Sequence, residues 1–333
     1  MAASTRSTPG PAIRCARSRP EPGLRDTSKM LAHVTRLFFA AWLLAVAVLL
    51  ALGRHGEWSV AARLGLGMLV LGHPFLIAIE LVLARLADAR INAPRPRNRV
   101  LLRAWAGEWI ASTVAFGWRL PWRSNAHPDH LPKSARGQRG VVFIHGFVCN
   151  RGIWNTWLAR LSKRDRAYVA VNLEPVFARI DDYVEIVERA VRQVEVCTGL
   201  APVIVAHSMG GLVARAWLRH RASATRSDGH EHAARIITIG TPHRGTWMAA
   251  FAMSPNARQM RMGSDWLTAL SAQEPATLGN LFTCWWSECD QIVFPPPTAE
   301  LPGSEGRIAP GCGHVALVRH EGIWNDLMRC LDY

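Results

Sequence analysis

Val203-Ile204-Val205-Ala206-His207-Ser208-Met209-Gly210-Gly211 is the stretch on which the fold turns. Its branched apolar start reads as a buried strand, and residues 209–220 carry apolar side chains at helical spacing. One serine stands between the two. A strand that enters a helix through a single residue turns so tightly that the positions two before and two after it must be small, and here they are Ala206 and Gly210. Such a turn strains Ser208 and exposes its hydroxyl, while the N-terminus of the next helix favours negative charge developing beside it. Ala206 replaces the more usual first glycine with the smallest side chain available.

The alternation continues on both sides. Strands are expected at 141–144, 168–173, 202–206, 235–239, 282–286 and 306–309, and helices at 154–161, 181–197, 209–220 and 322–331. The 181–197 segment has apolar residues at 184, 187, 191 and 194 and acidic residues at its start, as a helix dipole favours. Strands alternating with helices imply an α/β domain, a mainly parallel sheet covered on both faces.

Three stretches give the chain a family likeness. Phe143-Ile144-His145-Gly146-Phe147, Ala206-His207-Ser208-Met209-Gly210-Gly211 and Thr241-Pro242-His243-Arg244-Gly245-Thr246 follow one another in the order of the α/β-hydrolase superfamily. Over 140–330 the chain resembles that superfamily, in particular the bacterial triacylglycerol lipases and esterases; the first 139 residues do not. The resemblance implies an α/β-hydrolase fold and a Ser-Asp-His triad in that chain order. Ser208 is the expected nucleophile and His314, in Gly311-Cys312-Gly313-His314-Val315, the expected base. Asp290, in Glu288-Cys289-Asp290-Gln291-Ile292-Val293-Phe294-Pro295, fits the family's D-x-x-V-x-P form as the acid. Glu288 is the runner-up, and Asp265 is less suited because it lies in an insertion. The resemblance gives the oxyanion donors as the backbone amides of Met209 and Phe147. His145, His207 and His243 read as packing or loop-stabilising residues, with His207 pointing away from the nucleophile.

Residues 246–280 form an insertion bearing Trp247, Met248, Phe251, Met253 and Trp266. In lipases this region forms a lid; the alternative is a helical cap belonging to the core. Of seven cysteines, Cys284, Cys289 and Cys312 cluster around the acid and base loops, where secreted relatives place a disulfide; in a cytoplasmic body these thiols stay reduced.

The formal charge of +14 on 333 residues suggests a nucleic-acid binder until it is located. Residues 1–139 hold 20 basic against 7 acidic side chains, and 140–333 hold 19 against 18. The excess therefore lies outside the catalytic body, which excludes a nucleic-acid-binding face there. Two apolar runs explain it better. One is Leu37-Phe38-Phe39-Ala40-Ala41-Trp42 continuing apolar to Leu52, and the second spans 64–84 with His73-Pro74 and Glu80 inside it. A signal peptide lacks a small-x-small cleavage site here, and a buried hairpin is the plainer alternative. We take the pair as a two-span membrane anchor. Basic residues precede the first run and follow the second, so the positive-inside rule puts both ends, and the body, in the cytoplasm.

Residues 1–30 read as a disordered basic N-terminus, in which Met30 offers a second start. Residues 31–139 hold the anchor, a Trp-bearing helix at 100–122 that either lies in the headgroup layer or packs on the body, and a Pro/His/Gly-rich linker at 124–140. Residues 140–333 form the catalytic domain. No metal-ligand spacing and no phosphate loop is visible, so no metal or cofactor is expected, and no motif points to a protein partner. The expected function is a membrane-anchored serine hydrolase of carboxylic esters, lipid or acyl esters foremost. An acyltransferase or amidase using the same triad is the alternative, and a non-catalytic membrane scaffold on the same fold the second.

Overall fold

The computed structural model describes residues 30–54, 59–90, 96–224 and 233–332. The basic segment 1–29 with Cys15, and 55–58 of the polar link, lie outside them. Helices α1 (Met30–Arg54), α2 (Val60–Arg90) and α3 (Asn98–Val114) come first, and α3 passes through a π turn into the short α4 (Leu120–Trp122). The body then alternates: β1 (Val141–Ile144), α5 (Asn155–Ser162), β2 (Tyr168–Ala170), α6 (Val184–Thr198), β3 (Val203–His207), α7 (Met209–Ala224) and β4 (Arg235–Ile239). Next come α8 (Pro255–Gln259), α9 (Asp265–Ala272), β5 (Phe282–Trp286), β6 (Glu305–Ile308) and α10 (Glu321–Asp332).

The six strands form one parallel sheet in the order β2-β1-β3-β4-β5-β6. Every strand expected from the sequence is present. The edge strand β2 ends early, although the Val171 N–H still donates to the Phe143 carbonyl at 3.1 Å. Successive strand residues supply opposite faces, as the pleat requires. Val142, Ile144, Ile204, Ala206 and Ile236 pack beneath α6 and α7, while Val141, Phe143, Val203, Val205 and Ile237 pack against α5 and α10. Each fully buried aliphatic side chain contributes about 1.5–3 kcal/mol, which explains why the central strands read as continuous apolar runs. The α6 face is the one its periodicity predicted: Val184, Val187, Val191 and Val194 are all buried.

Helices α1 and α2 are long and apolar enough to cross a membrane, with mean hydropathies of 2.2 and 2.1 over the best windows. Each meets the body at one end. Leu31 and Ala32 of α1 are buried, and Arg36 Nε donates to the Pro121 carbonyl. In α2 the buried positions Ile77, Leu81, Ala84 and Ala87 lie one helical face apart, and Ala84 and Ala87 pack on Phe294. The rest of both helices leaves Leu37, Phe38, Leu44, Leu64, Met68 and Leu71 exposed. Helix α3 packs on the body along one stripe and leaves the opposite side uncovered. Ala104, Glu108, Ala111 and Ser112 face inward, while Leu102, Trp109 and Ile110 are exposed. Trp105 Nε1 also donates to the Pro74 carbonyl of α2.

Residues 124–140, expected as a linker, touch the edge of the sheet at Asp129 and His130. His130 bridges Tyr168 of β2 antiparallel, Asp129 accepts from the Ala170 N–H, and Ala135 is fully buried. Three backbone and side-chain bonds outweigh what the Pro and Gly content suggested.

The 246–280 insertion is a cap tied to the core. Leu267 and Leu270 are buried, and Asn256 Nδ2 donates to the Val176 carbonyl. Arg215 of α7 makes a bidentate pair with Glu274 at 2.8 and 2.6 Å, and also donates to the His243 carbonyl. Its side chain is wholly buried. Removing one member of such a pair strands the other charge away from water, so Arg215→Ala is expected to lower stability by about 3–5 kcal/mol. A thermal melt of the full chain in detergent checks this; an unshifted midpoint would show that the cap does not depend on the pair.

Candidate active site

Four loops leave the C-terminal edge of the sheet and converge. The loop after β1 carries His145, Gly146 and Phe147, and the turn after β3 carries Ser208. The loop after β5 carries Asp290, and the loop after β6 carries His314.

Ser208 has φ +53°, the left-handed region that a residue with a side chain rarely enters. Backbone bonds hold it there: its N–H donates to the Ile239 carbonyl at 2.8 Å, and its carbonyl accepts from the Gly211 N–H and from Thr241 Oγ1. The small residue demanded two places later has a concrete reason. A Cβ on Gly210 would lie 2.6 Å from the Ile144 carbonyl oxygen of β1, so only glycine lets α7 start this close to the sheet. On the other side, a Cβ on Gly146 would meet the Ser208 Cβ at 2.8 Å. The His145-Gly146-Phe147 backbone therefore passes directly against the serine, and the Phe147 ring rests 5.9 Å from that of Phe177.

Asp290 and His314 are paired. Asp290 Oδ2 lies 2.8 Å from His314 Nδ1, and both residues are buried. Oδ1 of the same carboxylate accepts from the Ile292 and Val293 N–H groups at 2.9 and 2.8 Å, which fixes the plane of the group. Burial opposes charge on the His314 ring. The Asp290 carboxylate, its hydrogen bond and the more distant Glu108 and Glu80 outweigh burial and hold the imidazole above its ordinary pKa. Glu288, the runner-up acid, turns instead to the Gly311 N–H, and Asp265 sits exposed in the first turn of α9. Of the three acids considered, the structure brings Asp290 to the histidine.

The other motif histidines, His145, His207 and His243, are buried and held neutral by burial. His145 Nε2 accepts from the Leu173 N–H, so its Nδ1 carries the proton and donates to the Gly146 carbonyl; burial pushes its pKa down to about 4. His243 contacts Thr238 Oγ1 and is likewise held neutral by burial. His207 is the hydrogen-bonded packing residue expected of it. Its ring lies 4.7 Å from the His314 ring, with Nε2 on the His314 carbonyl, so the residue before the serine packs against His314. The thiols of Cys289 and Cys312 are pushed up by burial, to about 12 and about 11, and both are free, as is Cys284. Among the described residues no cluster could hold a metal ion.

Sequence reading missed Glu108 and Gln291. Glu108 Oε1 and Oε2 accept from the Val315 N–H, and Oε2 from the Ala316 N–H as well. Gln291 bridges Glu108 Oε1 and the His314 N–H.

Among solved structures, the mature lipase BlEst2 of Bacillus licheniformis is similar with a TM-score of 0.50 and 17% identity, over 62% of this chain and 94% of that one. Lipase B of Aspergillus fumigatus gives 0.49 at 17% identity, over 61% of this chain and 55% of its own. A monoacylglycerol lipase of Paleococcus ferrophilus gives 0.41 at 11%, over 59% and 97%. No curated protein matches. At such identities the likeness concerns the fold. A family model described as the alpha/beta hydrolase family matches residues 141–324, from the first strand into the last helix, and the chain therefore belongs to that family.

Proposed function

We propose that this hydrolase cleaves carboxylic esters through an acyl-enzyme on Ser208, and that its substrates are lipid or acyl esters met at a membrane surface. The observation that carries the reading is the strained Ser208 on the same sheet edge as the buried Asp290–His314 pair. In this mechanism His314 Nε2 takes the proton of Ser208 Oγ as the oxygen adds to the ester carbonyl. Asp290 keeps the other proton on Nδ1 and stabilises the imidazolium. The amides of Met209 and Phe147 receive the oxyanion, each such donor being worth about 3 kcal/mol of transition-state stabilisation. The tetrahedral adduct collapses, the C–O bond breaks, and His314 returns the proton to the leaving alcohol. Water then repeats the sequence on the acyl-enzyme.

Apolar surface supports the substrate class. Phe177, Phe251 and Met253 are more than half exposed, on the loop after β2 and on the cap. Single exposed apolar side chains are ordinary, but these accompany the uncovered faces of α1 and α2. Because α1 begins, and α2 ends, on the body, we place both helix ends on one side of the bilayer, with residues 31–139 serving as the anchor of the 140–333 domain. The basic flanks put that side in the cytoplasm.

A fluorophosphonate probe tests the reading. Ser208 Oγ displaces fluoride from phosphorus, and the wild-type chain is expected to label while Ser208→Ala does not. Equal labelling of the two removes Ser208 as the nucleophile.

A further inference from the structure

Glu108 lies on α3, outside the segment that the family model matches, yet it reaches into the base loop. The residue is 2% exposed. A carboxylate withdrawn from water costs several kcal/mol unless donors replace the solvent. Here they are three groups: the Val315 N–H at 3.0 Å from both oxygens, the Ala316 N–H at 2.9 Å from Oε2, and Gln291 Nε2 at 2.9 Å from Oε1. None is a cation, and among the described residues Glu108 makes no ion pair. An apolar side chain would dock α3 on the body at lower cost. The charge is directed instead at the two amides that follow His314.

The contact continues through Gln291. Its Oε1 accepts from the His314 N–H at 3.1 Å, and it is the residue after Asp290. One carboxylate therefore holds the backbone on both sides of the imidazole and joins the acid loop to the base loop. We propose that Glu108 is a positioning residue for His314, so that the helix following the anchor completes the catalytic machinery of the hydrolase domain. This rests on the reading of His314 as the base. The groups facing the imidazole are Asp290 as its partner, His207 packed on it with its ring tilted, and Glu108 and Glu80 from α3 and α2.

The test uses the full chain in detergent micelles, with a nitrophenyl ester and the fluorophosphonate probe. Glu108→Gln keeps the shape, loses the charge and turns an N–H pair toward donors. It is expected to lower kcat about 10- to 100-fold with KM within about twofold, since a displacement of the base near 1 Å costs up to about 10²-fold. Its acid limb should move to lower pH, because a negative charge that favours the imidazolium is gone. Glu108→Asp keeps the charge, so its limb should stay at the wild-type pH while kcat falls. A purely structural role would lower the melting temperature of both variants and leave the limb of each in place. That outcome, or wild-type kcat in Glu108→Gln, overturns the proposal. Should Glu108→Gln not fold, a folded Gln291→Leu decides it: a fall in kcat with KM unchanged supports the proposal, and unchanged kcat overturns it. If Ser208→Ala proves as active as wild type, the reading of the triad has failed rather than the role of Glu108.

Discussion

Ser208→Ala is expected to lower kcat for a nitrophenyl ester about 10⁶-fold, the largest effect of any single change in this chain. The figure corresponds to about 8 kcal/mol of activation free energy. It is this large because in the proposed triad the members act as a unit: without the hydroxyl, His314 would have no proton to take and Asp290 nothing to orient. Folding should survive. The bonds that fix residue 208 run through its backbone, from its N–H to Ile239 and to its carbonyl from Gly211 and Thr241, and none uses the hydroxyl. Ser208→Gly sharpens the point. A left-handed φ costs a residue with a Cβ about 1–3 kcal/mol that glycine does not incur, partly offset by the greater freedom of glycine in the unfolded chain. The glycine variant should therefore be as inactive as the alanine variant and no less stable than wild type. Initial rates and thermal melts on the three proteins check both statements. A glycine variant clearly less stable than wild type would mean that the turn stores no strain.

What the sequence made legible, and what it hid, divides along chain separation. The strand–serine–helix turn is local: its small residues stand two places either side of Ser208, and the reason for Gly210 is contact with the neighbouring strand that the same pattern announces. The six strands were legible because both faces of a covered parallel sheet must be apolar. Glu108 was hidden because its partners lie 183 to 208 residues away, and because a lone glutamate on a Trp-bearing helix looks like a solvated charge. The buried stripe of α3 is made of Ala104, Ala111 and Ser112, too weakly apolar to mark a packed face. Glu80 interrupts an apolar run, yet the same half of α2 buries Ile77, Leu81, Ala84 and Ala87. The packing role expected of His207 is the one it has, but its place beside the serine says nothing of the later loop that brings His314 onto it. Residues 124–140 carry the composition of a linker, and only the bonds to Tyr168 and Ala170 show that they touch the sheet edge.

Asp290→Asn is expected to lower kcat about 10⁴-fold while changing little else. The two carboxylate oxygens are not equivalent. Oδ1 accepts from two backbone N–H groups, Ile292 and Val293, which only an oxygen can satisfy. An asparagine must therefore put its carbonyl oxygen at that position and its NH₂ where Oδ2 now faces His314 Nδ1 at 2.8 Å. Oδ1 also lies 3.1 Å from Nδ1, but a donor at the nearer 2.8 Å position favours Nδ1 as an acceptor, so the ring proton moves to Nε2. The nitrogen assigned to receive the serine proton then has no lone pair to offer. The variant also loses the charge that sustains the imidazolium, so any remaining activity should show its acid limb at lower pH than wild type. Because the amide caps are kept, the melting temperature should move little, whereas Asp290→Ala loses the caps as well and should be visibly less stable. The competing acid is tested in the same experiment. Glu288 caps the Gly311 N–H, so Glu288→Gln should keep most of the activity. If Glu288→Gln were instead the inactive variant and Asp290→Asn stayed within tenfold of wild type, the acid assigned to His314 would have to be exchanged.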